Sequence, residues 1–130
     1  MGASEDLDRA NADWCKAVSN QDVEGVLDAY TDDAKFLAPG APLAQGRAQL
    51  APIFEAMFAA GVKSIDLRRA ELIEAGNVVI EVGTGTMNVQ APNGDMAAMD
   101  GKYISVSRYQ ADGSLKMVAD IYNMDVEPTA

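Results

Sequence analysis

The pattern that most constrains this chain lies in its last third. Apolar and polar residues alternate from Asp100 to Tyr109 and again from Leu115 to Asn123, with Asp112-Gly113 between the two runs. Alternating strands around a tight Asp-Gly turn form a β-hairpin. Two more long alternating segments precede it. The predicted strands run over 62–74, 78–90, 95–109 and 115–125, with turns at Gly76-Asn77 and at Ala91-Pro92-Asn93-Gly94. A meander of this length has one face to bury, and the first half of the chain supplies the cover.

That half has helical spacing. Ser4 is read as the cap of a first helix, with Glu5 and Asp6 in its first turn and Leu7, Ala10, Trp14, Ala17 and Val18 on one face. It should stop near Asn20-Gln21. Asp22 caps a short second helix carrying Val23, Val26, Leu27 and Tyr30, and a short strand over 34–37 ends at Pro39-Gly40. After a loop to Gly46, a third helix over about 47–60 presents Leu50, Ile53, Phe54, Met57 and Phe58. Pro52 either begins that helix proper or kinks it, and Gly61 ends it. Three helices followed by four strands predict an α+β fold, with helices on one face of a mainly antiparallel sheet. No linker or repeat divides the chain, so residues 1–130 read as one domain. Gly83 and Gly85 lie inside a strand, without the strand–loop–helix context of a phosphate loop, so they mark a bend or a close backbone approach. Long bent strands curl a sheet and leave a cavity beneath the helices.

Composition narrows the chemistry. Ten basic against twenty acidic residues give a net charge of −10, which argues against nucleic acid and anionic membranes as partners. There is no histidine, so histidine-based triads, His-ligated metals and histidine pH switches are excluded. A single cysteine, Cys15, can form neither an intrachain disulfide nor a cysteine metal cluster. The expectation is no metal and no cofactor. The first residues carry no basic stretch followed by an apolar run, and no apolar run spans a membrane, so a cytoplasmic location is expected.

The run from Trp14 to Ala34, the Gly46-Arg47 helix start and the hairpin from Lys102 to Asn123 resemble the nuclear-transport-factor-2-like superfamily, in particular its SnoaL-like and ketosteroid-isomerase-like branch. The resemblance covers essentially the whole chain. It implies a cone-shaped α+β barrel of three helices on a strongly curved mixed sheet, usually a homodimer, with an interior pocket for small apolar ligands. Ketosteroid isomerases use a pocket aspartate as proton shuttle and an oxyanion hole of tyrosine plus protonated aspartate, a site known in detail. Carried over, the helix-1 tyrosine falls on Trp14, the shuttle aspartate on Ala38 and the second aspartate near Ser105. Neither carboxylate matches, so steroid isomerisation by that route is not expected.

The same comparison puts Val118, Asp120 and Tyr122 on the inward face of the last strand, and alternation makes them one face. Met117, Ala119 and Ile121 then form an apolar outer face, expected to be the homodimer contact. Asp120 becomes the candidate for catalysis, because desolvation in an apolar cavity would raise its pKa toward that of a general base. The alternative is that it only accepts hydrogen bonds and organises the pocket. Trp14, Tyr30, Phe36, Phe54, Phe58, Ser105 and Tyr122 are the expected pocket residues, with Met57, Met87, Met96 and Met99 as further apolar lining. Tyr103, Ser107 and Tyr109 are further polar candidates. Glu81 lies between Ile80 and Val82, so strand parity decides whether it pairs with Asp120 or is solvated, and the solvated reading is the expectation here. Two functions stay open: a small-molecule-binding protein of the SnoaL-like group acting as a cofactor-free isomerase, lyase or cyclase through Asp120, or a non-catalytic ligand-binding or dimerisation module.

Overall fold

The computed structural model describes residues 2–126. Helices α1 (Ala3–Ser19) and α2 (Val23–Leu27) lead into β1 (Tyr30–Leu37), the two-residue β2 (Ala44–Gln45) and α3 (Arg47–Ala59). Four long strands follow: β3 (Val62–Ala75), β4 (Val78–Gln90), β5 (Met96–Tyr109) and β6 (Leu115–Met124). They make one open six-stranded sheet in the order β2-β1-β6-β5-β4-β3. Every pairing is antiparallel except β1 with β6, which makes the sheet mixed. This is the expected α+β cone, three helices packed on a mixed sheet.

Local chemistry explains most boundaries. Asp22 accepts from the Gly25 amide and caps α2 as expected. Ser4 does not cap α1: the cap position is Gly2, and Ser4 lies inside the helix with its hydroxyl facing Arg69 Nη1 at 3.3 Å. Helix α3 runs through Pro52 from Arg47, so it does not begin there, and Pro52 leaves the Ala48 carbonyl without its usual amide donor. β1 starts at Tyr30, four residues earlier than expected, because it gains β6 as a parallel neighbour.

The core lies between helices and sheet, built on Trp14, Val18, Val26, Leu27, Phe36, Leu50 and Phe54. A second cluster of Ala3, Leu7 and Val79 seats the start of α1 on the same, helix-covered face of the sheet. Tyr109 Oη donates to Asp6 Oδ2 at 2.6 Å and pins the same helix end.

Register shifts alter side-chain parity at four points of the sheet. In the β5–β6 ladder Val106 faces Ala119 while Ser107 faces Met117, so Val118 is an extra residue. Met117 therefore turns inward and joins the core cluster, contrary to its expected place on the outer face. Between β3 and β4 the register jumps from Arg69–Gly83 to Glu71–Val82, leaving Ala70 as the extra residue.

Gly61 closes α3 with φ of 108°, and its carbonyl accepts from Gln90 N at 2.8 Å. A Cβ there would collide with the Gln90 carbonyl. Gly61→Ala is expected to lower unfolding free energy by about 2 kcal/mol or more, read by urea denaturation. The neighbouring Ala60→Gly, in an ordinary helical conformation, should cost less than half of that.

Candidate functional site

Strand register assembles the site. Glu81 on β4 faces Ser105 on β5, Ser105 faces Asp120 on β6, and Asp120 faces Phe36 on β1. The next row on the same face is Gly83, Tyr103 and Tyr122. Asn11 and Trp14 from α1 and Phe54 and Met57 from α3 close the space from above. The cavity has a volume of about 80 Å³, opens to the surface, and has a largely apolar wall. Met57, Met87, Met99, Met117 and Met124 contribute flexible thioethers to that wall.

Asp120 points into the cavity, and Tyr30 Oη donates to its Oδ2 at 2.8 Å. Burial pushes the Asp120 carboxyl up to about 6; the Tyr30 hydrogen bond pulls it down, and the negative charge of Glu81 pushes it up again. Burial also raises the Tyr30 phenol well above its ordinary value, and Asp120 adds to that, so Tyr30 stays a proton donor.

Glu81 is 1% exposed and lines the same cavity, which corrects its expected solvated place. It shares parity with Val79, Met87 and Val89, all apolar. That was the sequence signal for an inward side chain. Its charge is compensated from two distant elements. Asn11 Nδ2 lies 3.1 Å from both oxygens, and Arg69 Nε donates to Oε2 at 3.0 Å. Arg69 Nη2 in turn reaches Asp8 at 2.8 Å.

Trp14 Nε1 and Tyr103 Oη are buried without a hydrogen-bond partner among the described residues. Both residues line the cavity. Burial raises the Tyr103 phenol, and the nearby Glu81 carboxylate raises it further.

Of the expected pocket residues, Trp14, Phe36, Phe54, Ser105 and Tyr122 lie in the wall with Asp120. Tyr30 stands behind Asp120 in the core rather than in the wall, and Phe58 packs against the core outside the cavity. Met96 is exposed, Ser107 is buried elsewhere, and Tyr109 is engaged with Asp6. Val118 sits at the bulge and is not in the wall. Ala38, the carried-over shuttle position, lines a separate surface groove beside Pro39 and Ile121. Among the described residues, no three His, Cys, Asp or Glu side chains converge as a metal site would require.

The SnoaL-like domain model matches residues 12–118. The chain belongs to the SnoaL-like family. No curated protein matches this SnoaL-like chain in sequence. Solved structures share its fold. A ketosteroid isomerase-like protein from Erwinia carotovora atroseptica is 18% identical, with 92% of this chain and 94% of that one covered and a TM-score of 0.81. A nuclear transport factor 2-like superfamily protein from Salmonella enterica is 11% identical, with 96% and 92% covered and a TM-score of 0.80. An NTF2-like protein with a cystatin-like fold from Novosphingobium aromaticivorans is 16% identical, with 96% and 83% covered and a TM-score of 0.80. At these identities the likeness establishes the SnoaL-like fold, and chemistry has to be argued from the cavity.

Two outcomes follow from the carboxylates. Arg69→Met should destabilise the fold by about 3–5 kcal/mol, because Glu81 stays buried with its ion partner gone. Adding Glu81→Gln should recover a large part of that loss, and additive costs in a double-mutant cycle would contradict the pairing. Asp120 binds its proton more tightly folded than unfolded, from an ordinary value of 3.8 to about 6. Its contribution to stability is therefore complete below about pH 4 and is lost as pH rises through 6. Wild type should lose about 2 kcal/mol of stability relative to Asp120→Asn across that window. A difference independent of pH would show an unshifted carboxyl.

Proposed function

We propose that this SnoaL-like protein is a cofactor-free acid–base enzyme of isomerase, lyase or cyclase type, acting on a small apolar molecule, with Asp120 as the proton-transferring group. The observation that carries the reading is a carboxyl of pKa about 6 aimed into an apolar cavity and held by one phenolic donor. A base of that strength is ionised at neutral pH yet basic enough to take a proton from carbon beside a carbonyl. In such a step the Asp120 carboxylate takes the proton, and the C–H electron pair moves into an enolate. The neutral acid then returns the proton to a different carbon, completing an isomerisation, or to a departing hydroxyl that leaves as water. Glu81 is committed to Arg69 and Asn11, and its fixed charge keeps the proton affinity of Asp120 high.

Deuterium wash-in tests this directly. Acetophenone and simple cycloalkenones in D2O are expected to exchange their α-hydrogens faster with wild-type protein than with Asp120→Asn, by about a hundredfold or more. The rate should rise with pH through about 6 and then level, because the ionised form is the base. Equal exchange by both proteins, with ligand binding retained, would leave a ligand-binding protein without this chemistry.

We further propose a homodimer through the outer sheet face, with the contact set revised by the Val118 bulge. Val82, Ile104, Ile121 and Leu37 form one cross-strand row there, beside Ile80, Val106 and Ala119. Ile104 is 43% and Ile121 38% exposed. On a chain of net charge −10, this uncharged row is where a second copy can approach with least repulsion. Sedimentation at tens of micromolar should show a dimer that Ile104→Lys converts to a folded monomer. A wild-type monomer under those conditions would rule it out.

A further inference from the structure

We propose that Gly85 is a specificity-determining residue of the cavity. Its missing side chain leaves room for the trailing end of an elongated apolar ligand, an unbranched alkyl or flat aryl group. The role rests on the cavity being a ligand site, and it holds whatever Asp120 does there.

A glycine inside a strand costs stability, because it orders a flexible backbone and packs no side chain. Gly83, Gly85 and Gly101 lie on the inward face of β4 and β5, and none has the positive φ that would require glycine. Crowding accounts for two of them. A Cβ at Gly83 would stand 2.6 Å from the Arg68 carbonyl oxygen and 2.7 Å from Tyr103 Oη. One at Gly101 would stand 2.6 Å from the Asn123 carbonyl oxygen. Gly85 is different. A Cβ there would meet only the Asp66 carbonyl oxygen at 3.1 Å and Leu67 Cδ2 at 3.6 Å. Asp66 belongs to the edge strand β3, which has a neighbour on one side and can yield slightly. Neither backbone conformation nor crowding demands glycine at 85, so what the missing side chain provides is the space above it.

That space lies on the way into the cavity. Gly85 faces Gly101, and both belong to the wall. Of the wall residues only Met99 and Lys102 are exposed, and both lie within two residues of Gly101 on β5, so the cavity opens at this end. The row of Glu81, Ser105 and Asp120 is four residues further along β4 and β5, about 13 Å of strand. A ligand that brings one end to Asp120 leaves its other end over the bare Gly85–Gly101 backbone. The Met87–Met99 pair lies on one side of it and Tyr103 on the other. A floor without side chains lets a flat or linear group touch the backbone, and the flanking thioethers adapt to its length. In a cavity of about 80 Å³, one methyl at position 85 takes a large share of the room. The class selected is an apolar molecule longer than one ring, unbranched at its trailing end.

Fluorobenzene and 1-butyl-4-fluorobenzene, titrated by ¹⁹F NMR, measure the selection as a ratio of affinities. Wild type should bind the butyl probe about tenfold more tightly or better. Gly85→Ala should reduce that preference about tenfold, the worth of about two buried methylenes. The midpoint of urea unfolding should be no lower in Gly85→Ala than in wild type, whereas Gly101→Ala should lower it. Equal binding of the two probes by wild type, or a preference unchanged by Gly85→Ala, would overturn the assignment. So would a Gly85→Ala protein as unstable as Gly101→Ala, because glycine at 85 would then serve the backbone. Failure of both probes to bind wild type would overturn the cavity as a ligand site and the role of Gly85 with it. A butyl preference that survives Asp120→Asn and falls in Gly85→Ala would support that role even where deuterium exchange shows no base at Asp120.

Discussion

A carboxylate removed from water must be compensated, and the compensation of Glu81 organises this molecule. Isolated, its burial at 1% exposure would cost several kcal/mol. It is tolerated because α1 brings Asn11 and β3 brings Arg69 to it, and Arg69 also holds Asp8 and faces Ser4 of α1. The result is a polar clamp between helix α1 and the sheet at a fixed place and angle. Trp14 lies one helical turn beyond Asn11 and on the same face, so the clamp also sets the indole over the cavity. Packing of Leu7 and Ala3 against Val79 secures the helix at its start.

The site itself is a consequence of sheet register. Because Glu81, Ser105 and Asp120 are opposite one another on adjacent strands, two carboxylates share one cavity wall with a hydroxyl between them. Their surroundings differ. Glu81 has a guanidinium and an amide, whereas Asp120 has one phenol and an apolar wall. Such differences separate the tasks of two acids in one site, and in the proposed reaction Asp120, not the ion-paired Glu81, is the proton carrier. The fold of the SnoaL-like family accommodates many chemistries, so this division of roles carries the functional reading more than the fold does.

Much of this was readable in the sequence, for physical reasons. The helices and strands follow from apolar period, and Asp22, Gly61 and Asp112-Gly113 mark their ends. The shared face of Asp120 and Tyr122 follows from strand alternation, and Trp14 from the apolar face of α1. Two failures have causes that a local pattern does not contain. Alternation puts Met117 outward because it assumes an unbroken ladder, and the bulge at Val118 breaks it. The parity of Val79, Met87 and Val89 points Glu81 inward, but the partners that make its burial tolerable lie 12 and 70 residues away, beyond any local window. Phe58 and Tyr30 show a third limit. Helical and strand patterns identify buried side chains, but only packing decides which of them border a cavity and which stand behind it.

The proton affinity of Asp120 is where register, burial and the Glu81 clamp meet. A ¹³C NMR titration of its carboxyl carbon measures that affinity without any knowledge of a substrate. The midpoint should lie at about 6 in the wild-type protein. It should fall in Glu81→Gln, which removes a nearby negative charge, and rise in Tyr30→Phe, which removes the donor that favours the ionised form. A midpoint near the ordinary 3.8, unmoved by either substitution, would mean that Asp120 is a solvated carboxylate and that the cavity holds no working acid–base group.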